Sequence, residues 1–139
     1  MKPHLSIGQS DFNVIRTRGD YYVDKSLFIQ EIMDGPDIVL VTRPRRFGKT
    51  LNMSMLRYFY GNDADYTGTF QGLAIMEAGQ NYLDKMGKHP ILFMSFKDIK
   101  DTHWRDAYAS LKDEIWVAPP MGFIKQYEAV RSQLDSREV

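Results

Sequence analysis

The apolar positions of this chain change period within a dozen residues. Ile38-Val39-Leu40-Val41 is an unbroken apolar run closed by Thr42, the signature of a short buried strand. From Thr50 the spacing becomes helical. Leu51, Met55, Leu56 and Phe59 fall on one stripe, and Gly61 ends the pattern. Between them lies Arg43-Pro44-Arg45-Arg46-Phe47-Gly48-Lys49. Strand, loop and helix in that order, with Gly48-Lys49-Thr50 at the loop's end, is the layout of a phosphate-binding loop.

The remaining pattern predicts further elements. Ser10 caps a short helix ending at Gly19, and Tyr21-Tyr22-Val23 reads as a short strand. Asp24 caps a helix from Lys25 to about Met33, stopped by Gly35-Pro36. Tyr21 and Tyr22 are either core residues or a platform for a base. Asp24 is either a cap or, with Lys25, a functional residue. Residues 61–68 read as a polar loop, residues 77–86 as a helix ended by Gly87, and Ile91-Leu92-Phe93-Met94 as a second strand opened by Pro90. A helix follows from His103 to Trp116, with Trp104, Tyr108, Leu111 and Ile115 on one face, and Ala118-Pro119-Pro120 breaks it. From Gly122 onward the pattern is helical again, with Phe123, Tyr127, Val130 and Leu134 as a stripe that either packs on the domain or awaits a partner.

Each residue type in the loop has a physical task. Gly48 lets the backbone approach phosphate oxygens. Backbone N–H groups from about residue 45 to residue 50 form an anion nest at the positive end of the following helix. Lys49 supplies a point charge for the β- and γ-phosphates, and the Thr50 hydroxyl is one ligand of Mg²⁺. The nucleotide-binding set is therefore Arg45, Arg46, Phe47, Gly48, Lys49, Thr50 and Leu51. By average residue usage Gly-Lys-Ser/Thr occurs by chance in about one chain of this length in fifteen, so its context has to carry the reading. The standard motif also has glycine where this chain has Arg43, and Pro44 beside it fixes φ and offers no N–H.

The string Thr42-Arg43-Pro44-Arg45-Arg46-Phe47-Gly48-Lys49-Thr50-Leu51-Asn52-Met53-Ser54-Met55-Leu56-Arg57-Tyr58-Phe59 resembles the bacterial predicted AAA-ATPase family. That family writes its loop with Arg-Pro-Arg-Arg-Phe-Gly-Lys-Thr. Ile7-Gly8 to Phe12, residues 21–29, 70–75 and 90–100 resemble family segments in the same order, so the likeness runs from about Leu5 to about Ile115. The resemblance implies an α/β fold: a P-loop NTPase-like three-layer fragment, with a short, mostly parallel sheet, flanking helices and its central strands missing. It implies a single domain over residues 1–139, truncated before the family's Asp-Glu strand, with 118–139 as a helical tail. It implies ATP and Mg²⁺ as cofactors. No catalytic acid is recognisable. Asp98 is the candidate by default, and its commoner reading is a turn residue at a strand end. Binding with weak or absent hydrolysis is the expectation.

Composition narrows the alternatives. There is no cysteine, no run of eighteen apolar residues and no signal-peptide core, which together point to a cytoplasmic protein without a membrane span. His4, His89 and His103 lack ligand spacing. Net charge is zero, yet residues 1–60 carry nine Lys/Arg against six Asp/Glu, and residues 61–139 nine against twelve. The positive density centres on Arg43, Arg45, Arg46 and Lys49, which suits a polyphosphate better than a duplex. Two other readings stand beside nucleotide binding. One is a protein-interaction module, for another chain or a second copy, using the C-terminal apolar helix. The other is nucleic-acid binding through the basic loop 43–49.

Overall fold

The computed structural model describes residues 4–44, 46–94, 96, 99–100 and 102–117, the last six as helical backbone. The chain divides into two compact units, residues 1–89 and 90–139.

In the first unit, helix α1 (Phe12–Thr17) is capped by Asp11, whose Oδ1 accepts from Val14 N at 3.0 Å. Ser10 was the expected cap. The Gln9 side chain instead accepts from the Ser10 and Asp11 amides at 2.9 and 3.0 Å, which places the cap one residue later. Helix α2 (Phe28–Met33) begins three residues after its expected start. Helix α3 (Lys49–Tyr60) has the bounds its apolar stripe predicts, to within one residue. Beyond it come α4 (Thr67–Phe70), which the polar composition of that stretch hid, a 3₁₀ turn over Ala74–Glu77, and α5 (Gln80–Leu83). In the second unit, α6 (Trp104–Val117) carries Trp104 stacked on Tyr108 at 5.5 Å.

Helix α3 is the centre of the first unit. Its Met55 and Phe59 are fully buried with Phe12, Ile29, Phe70 and Ile75. Phe70 touches Phe12 at 5.0 Å and Phe59 at 5.4 Å, centroid to centroid, arrangements that add to simple burial. Polar contacts fix the register of α1 on α3. Phe12 N donates to the buried Ser54 Oγ at 3.0 Å, and Tyr58 Oη donates to Asp11 Oδ2 at 2.8 Å. Arg16 reaches from α1 to the Thr69 and Gln71 carbonyls. The C-terminal carbonyls of α3 are satisfied by a distant segment: Gly87 N donates to Phe59 O and His89 N to Tyr60 O, both at 2.8 Å.

The expected α/β architecture is not what the structure has. Among the described residues there is no β-strand and no sheet; extended pairing is limited to one isolated bridge, Gly61 with His89. The three-layer fragment with a short parallel sheet is therefore replaced by helices joined by loops. The run 38–42 shows why. Ile38 and Leu40 are 87% and 84% exposed, so one face of the run has no layer against it, while Val39 and Val41 line a pocket with Ile32, Met33, Met53 and Leu56. An apolar run becomes a strand only when a neighbour pairs its backbone and packs its faces. Tyr21–Val23 likewise forms no strand; its link is Tyr21 N to His4 O at 2.8 Å. Residues 91–94 form no strand either. The expected tail helix over 118–139 and Asp98 lie outside the described residues.

Tyr58 gives this packing a pH signature. Burial pushes its phenol up to about 12, with the hydrogen bond to Asp11 and the charge of Asp11 adding to the effect. The folded state favours the neutral phenol, so its contribution is complete below pH about 10, the unfolded value, and is lost as pH rises from there towards 12. The melting temperature should fall between about pH 10 and about pH 12, the window set by these values, and less steeply in Tyr58→Phe. Equal slopes for the two chains would assign the alkaline loss to other groups.

Candidate functional site

The loop ahead of α3 makes its turn without the glycine that Arg43 replaces. Positive φ occurs instead at Arg46 (68°) and Gly48 (74°). The first is an uncommon conformation for a residue with a side chain and costs on the order of 1 kcal/mol. Gly48 is the N-cap of α3 and has no side chain to satisfy the helix's first amides. The first intrahelical bond is Asn52 N to Gly48 O, at 2.8 Å. The preceding amides, 48–51, therefore stand at the helix's positive end, where anions are stabilised. No acidic residue occupies the first turn to neutralise that end.

A cleft of about 870 Å³ opens there, lined by Gly48, Lys49, Thr50 and Leu51 on one side and by Ile7, Gly8, Gln9 and Ser10 on the other, with Arg46 at its edge. That volume lies within the range of small-molecule sites, about 300–1,000 Å³. The N-terminal wall is tied down by its flanks: Tyr21 N holds His4 O, Ser6 Oγ donates to Asp20 Oδ2, and the Gln9 side chain closes the turn into α1. Lys49 donates its ammonium to the Arg43 carbonyl, drawing the two ends of the loop together.

Of the residues expected at the site, Arg46, Gly48, Lys49, Thr50 and Leu51 line this one cleft. Phe47 is 56% exposed and is not in its lining. Arg45 lies outside the described residues. Tyr22 goes to the core, edge-on to Phe12 at 5.4 Å, with its hydroxyl on Met55 Sδ at 3.4 Å. Among the described residues no group of three or more His, Asp or Glu side chains could hold a metal, so Thr50 would have to meet Mg²⁺ together with a ligand's own oxygens. Residues 7–10 resemble a family segment, but their place in the wall of the cleft was not foreseen, because none of them carries a charge.

A family model described as Predicted AAA-ATPase (AAA-ATPase-like) matches residues 6–136. A protein described as "Uncharacterized protein in vnfD 5'region", from Azotobacter chroococcum mcd 1, is 36% identical over 94 residues. That alignment covers 66% of this chain and 17% of the relative, so the chain spans a small part of the relative's length. No solved structure matches.

The left-handed cap is open to a direct test. Gly48→Ala puts a Cβ on a backbone at φ 74°, with open space around it apart from the Lys25 ammonium at 3.8 Å. Strain alone should lower the unfolding free energy by about 1 kcal/mol. Urea denaturation of the two chains measures it, and an unchanged midpoint would show that the cap is not held left-handed in solution.

Proposed function

The chain belongs to the predicted AAA-ATPase family, and from that premise we propose that it binds a nucleoside triphosphate, ATP with Mg²⁺, through the loop 45–51. The observation that carries this reading is the open N-terminus of α3, capped by a left-handed glycine at the floor of an 870 Å³ cleft. In it, the amides of residues 48–51 and the Lys49 ammonium would take the phosphate oxygens. Lys49 would exchange the Arg43 carbonyl for phosphate, a stronger, charge-assisted partner. Thr50 would present its hydroxyl to the metal that the phosphates bring. The cleft between Ile7 and Leu51 is left for the nucleoside.

Hydrolysis needs an acid that positions water. Among the described residues the cleft lining contains no Asp or Glu. The reading is accordingly one of binding, with slow or absent turnover by these residues. Exposed Ile38 and Leu40 favour a second, compatible reading, in which the apolar run ahead of the loop contacts another protein segment. Among the described residues no helix is long and apolar enough to cross a membrane.

Calorimetric titration with ATP and Mg²⁺ tests the proposal. The unaltered chain should bind, and Lys49→Ala should bind about tenfold to a hundredfold more weakly, the weight of a hydrogen bond to a charged group. Equal binding by the two chains, or none by the parent, would remove the reading. Binding to DNA that ATP fails to displace would move the function to the basic loop itself.

A further inference from the structure

Lys25 sits 23 residues before Gly48 in the chain, yet its Nζ lies 3.8 Å from where a Cβ on Gly48 would be. The backbone that carries it is anchored on both sides. Asp24 Oδ1 accepts from Ser26 N and Asp24 Oδ2 from Ala74 N, each at 2.8 Å. Ser26 is fully buried, and its Oγ accepts from Ile75 N at 3.0 Å. Lys25 N itself donates to Tyr22 Oη at 3.4 Å. Burial works to raise the Asp24 carboxyl, but the amides of Ala74 and Ser26 outweigh it and hold the group below the usual carboxylate range, so the anchor stays ionised. Asp24 is thus committed to structure, and its neighbour's side chain is free to serve the loop.

The placement of that side chain is electrostatically unfavourable by itself. An ammonium belongs at the negative end of a helix, and Lys25 is at the positive end of α3. Arg46 and Lys49 stand at the same end, and no acidic residue is in the first turn. Among the described residues none of the three cations is ion-paired with a carboxylate. An exposed lysine stem has ample freedom to avoid such a position, and adopting it costs side-chain entropy. One further polar group on this helix lacks a partner. Asn52, one turn beyond Gly48 and so on the same face, is 91% buried, and its Oδ1 has no hydrogen-bond donor among the described residues.

We propose that Lys25 is a second ammonium ligand for the phosphate chain of a nucleoside polyphosphate seated at Gly48–Thr50, reaching it beside Gly48. The proposal rests on the nucleotide-binding reading and adds to it a residue outside the loop. It also gives the segment 24–26 a function: its hydrogen bonds hold the backbone that carries a cation. Because two ammonium groups and the helix end then converge, the site selects for charge. Discrimination between polyphosphate and monophosphate comes from Lys25 as well as Lys49.

The test compares the full chain with Lys25→Ala, Lys25→Arg and Lys49→Ala by calorimetry against ATP, ADP, AMP and inorganic triphosphate, alongside thermal melts. Lys25→Ala should melt with the parent and lose about tenfold to a hundredfold in affinity for ATP and inorganic triphosphate, with little change for AMP. Lys25→Arg should recover part of the loss. If Lys25→Ala melts early, Lys25→Met, which keeps the apolar stem, takes its place under the same criteria. A stable Lys25→Ala or Lys25→Met that binds ATP like the parent overturns the assignment and leaves the nucleotide reading standing, provided Lys49→Ala is impaired. A parent chain that binds neither ATP nor inorganic triphosphate overturns both.

Discussion

The two ends of α3 are treated differently by the protein around them, and the rest of the molecule follows from that inequality. At the C-terminus, Gly87 N and His89 N supply donors to the Phe59 and Tyr60 carbonyls, so the negative end is satisfied from within. At the N-terminus the cap is a glycine, no first-turn carboxylate compensates the exposed amides, and the groups that gather there are cations. A helix buried along its middle by Met55 and Phe59 cannot shift to relieve one end without disturbing the core. The packing of α1, α4 and the 3₁₀ turn around α3 therefore does more than stabilise the fold. It holds a partial positive charge at one fixed place.

How much of this was legible in the sequence depends on how local each determinant is. Helices α3 and α6 were readable to within a residue or so because period and stop signals lie inside the elements themselves. The start of α2 was not. Asp24 is a good cap residue in isolation, but its oxygens accept from the amides of Ser26 and of Ala74, fifty residues away, and the helix begins only at Phe28. The run 38–42 fails for the same reason in stronger form. Its composition is that of a strand, but strand formation is a property of a pair. A likeness in sequence to a sheet-bearing family cannot supply the neighbour.

At the candidate site, spacing pointed to Gly48, Lys49 and Thr50, which line one cleft, since the chemistry of a phosphate loop is written in consecutive residues. Their surroundings were hidden. The opposite wall, Ile7 to Ser10, has no charged group and is recognisable only once it lies across from Leu51. Lys25 carries the right charge, but its relevance is set by three hydrogen bonds that pin residues 24 and 26, two of them to residues 74 and 75. The departure at Arg43 also becomes intelligible. The backbone freedom that a first glycine gives is taken up later in the loop, at Arg46 and Gly48.

The loop's two flanks differ in how firmly they are held, and that bears on affinity. One flank is α3, fixed in the core. The other is the run ending at Thr42, whose Ile38 and Leu40 are exposed and gain nothing from the water around them. Ligand affinity is reduced by the fraction of molecules in which the loop is competent, so a weakly held flank lowers binding even when every contact in the cleft is good. Any contact that buries Ile38 and Leu40 would hold that flank and raise the competent fraction, coupling such a contact to the proposed phosphate site without touching it. The same free energy works in reverse, because a ligand that orders the loop also favours whatever packs on the run before it.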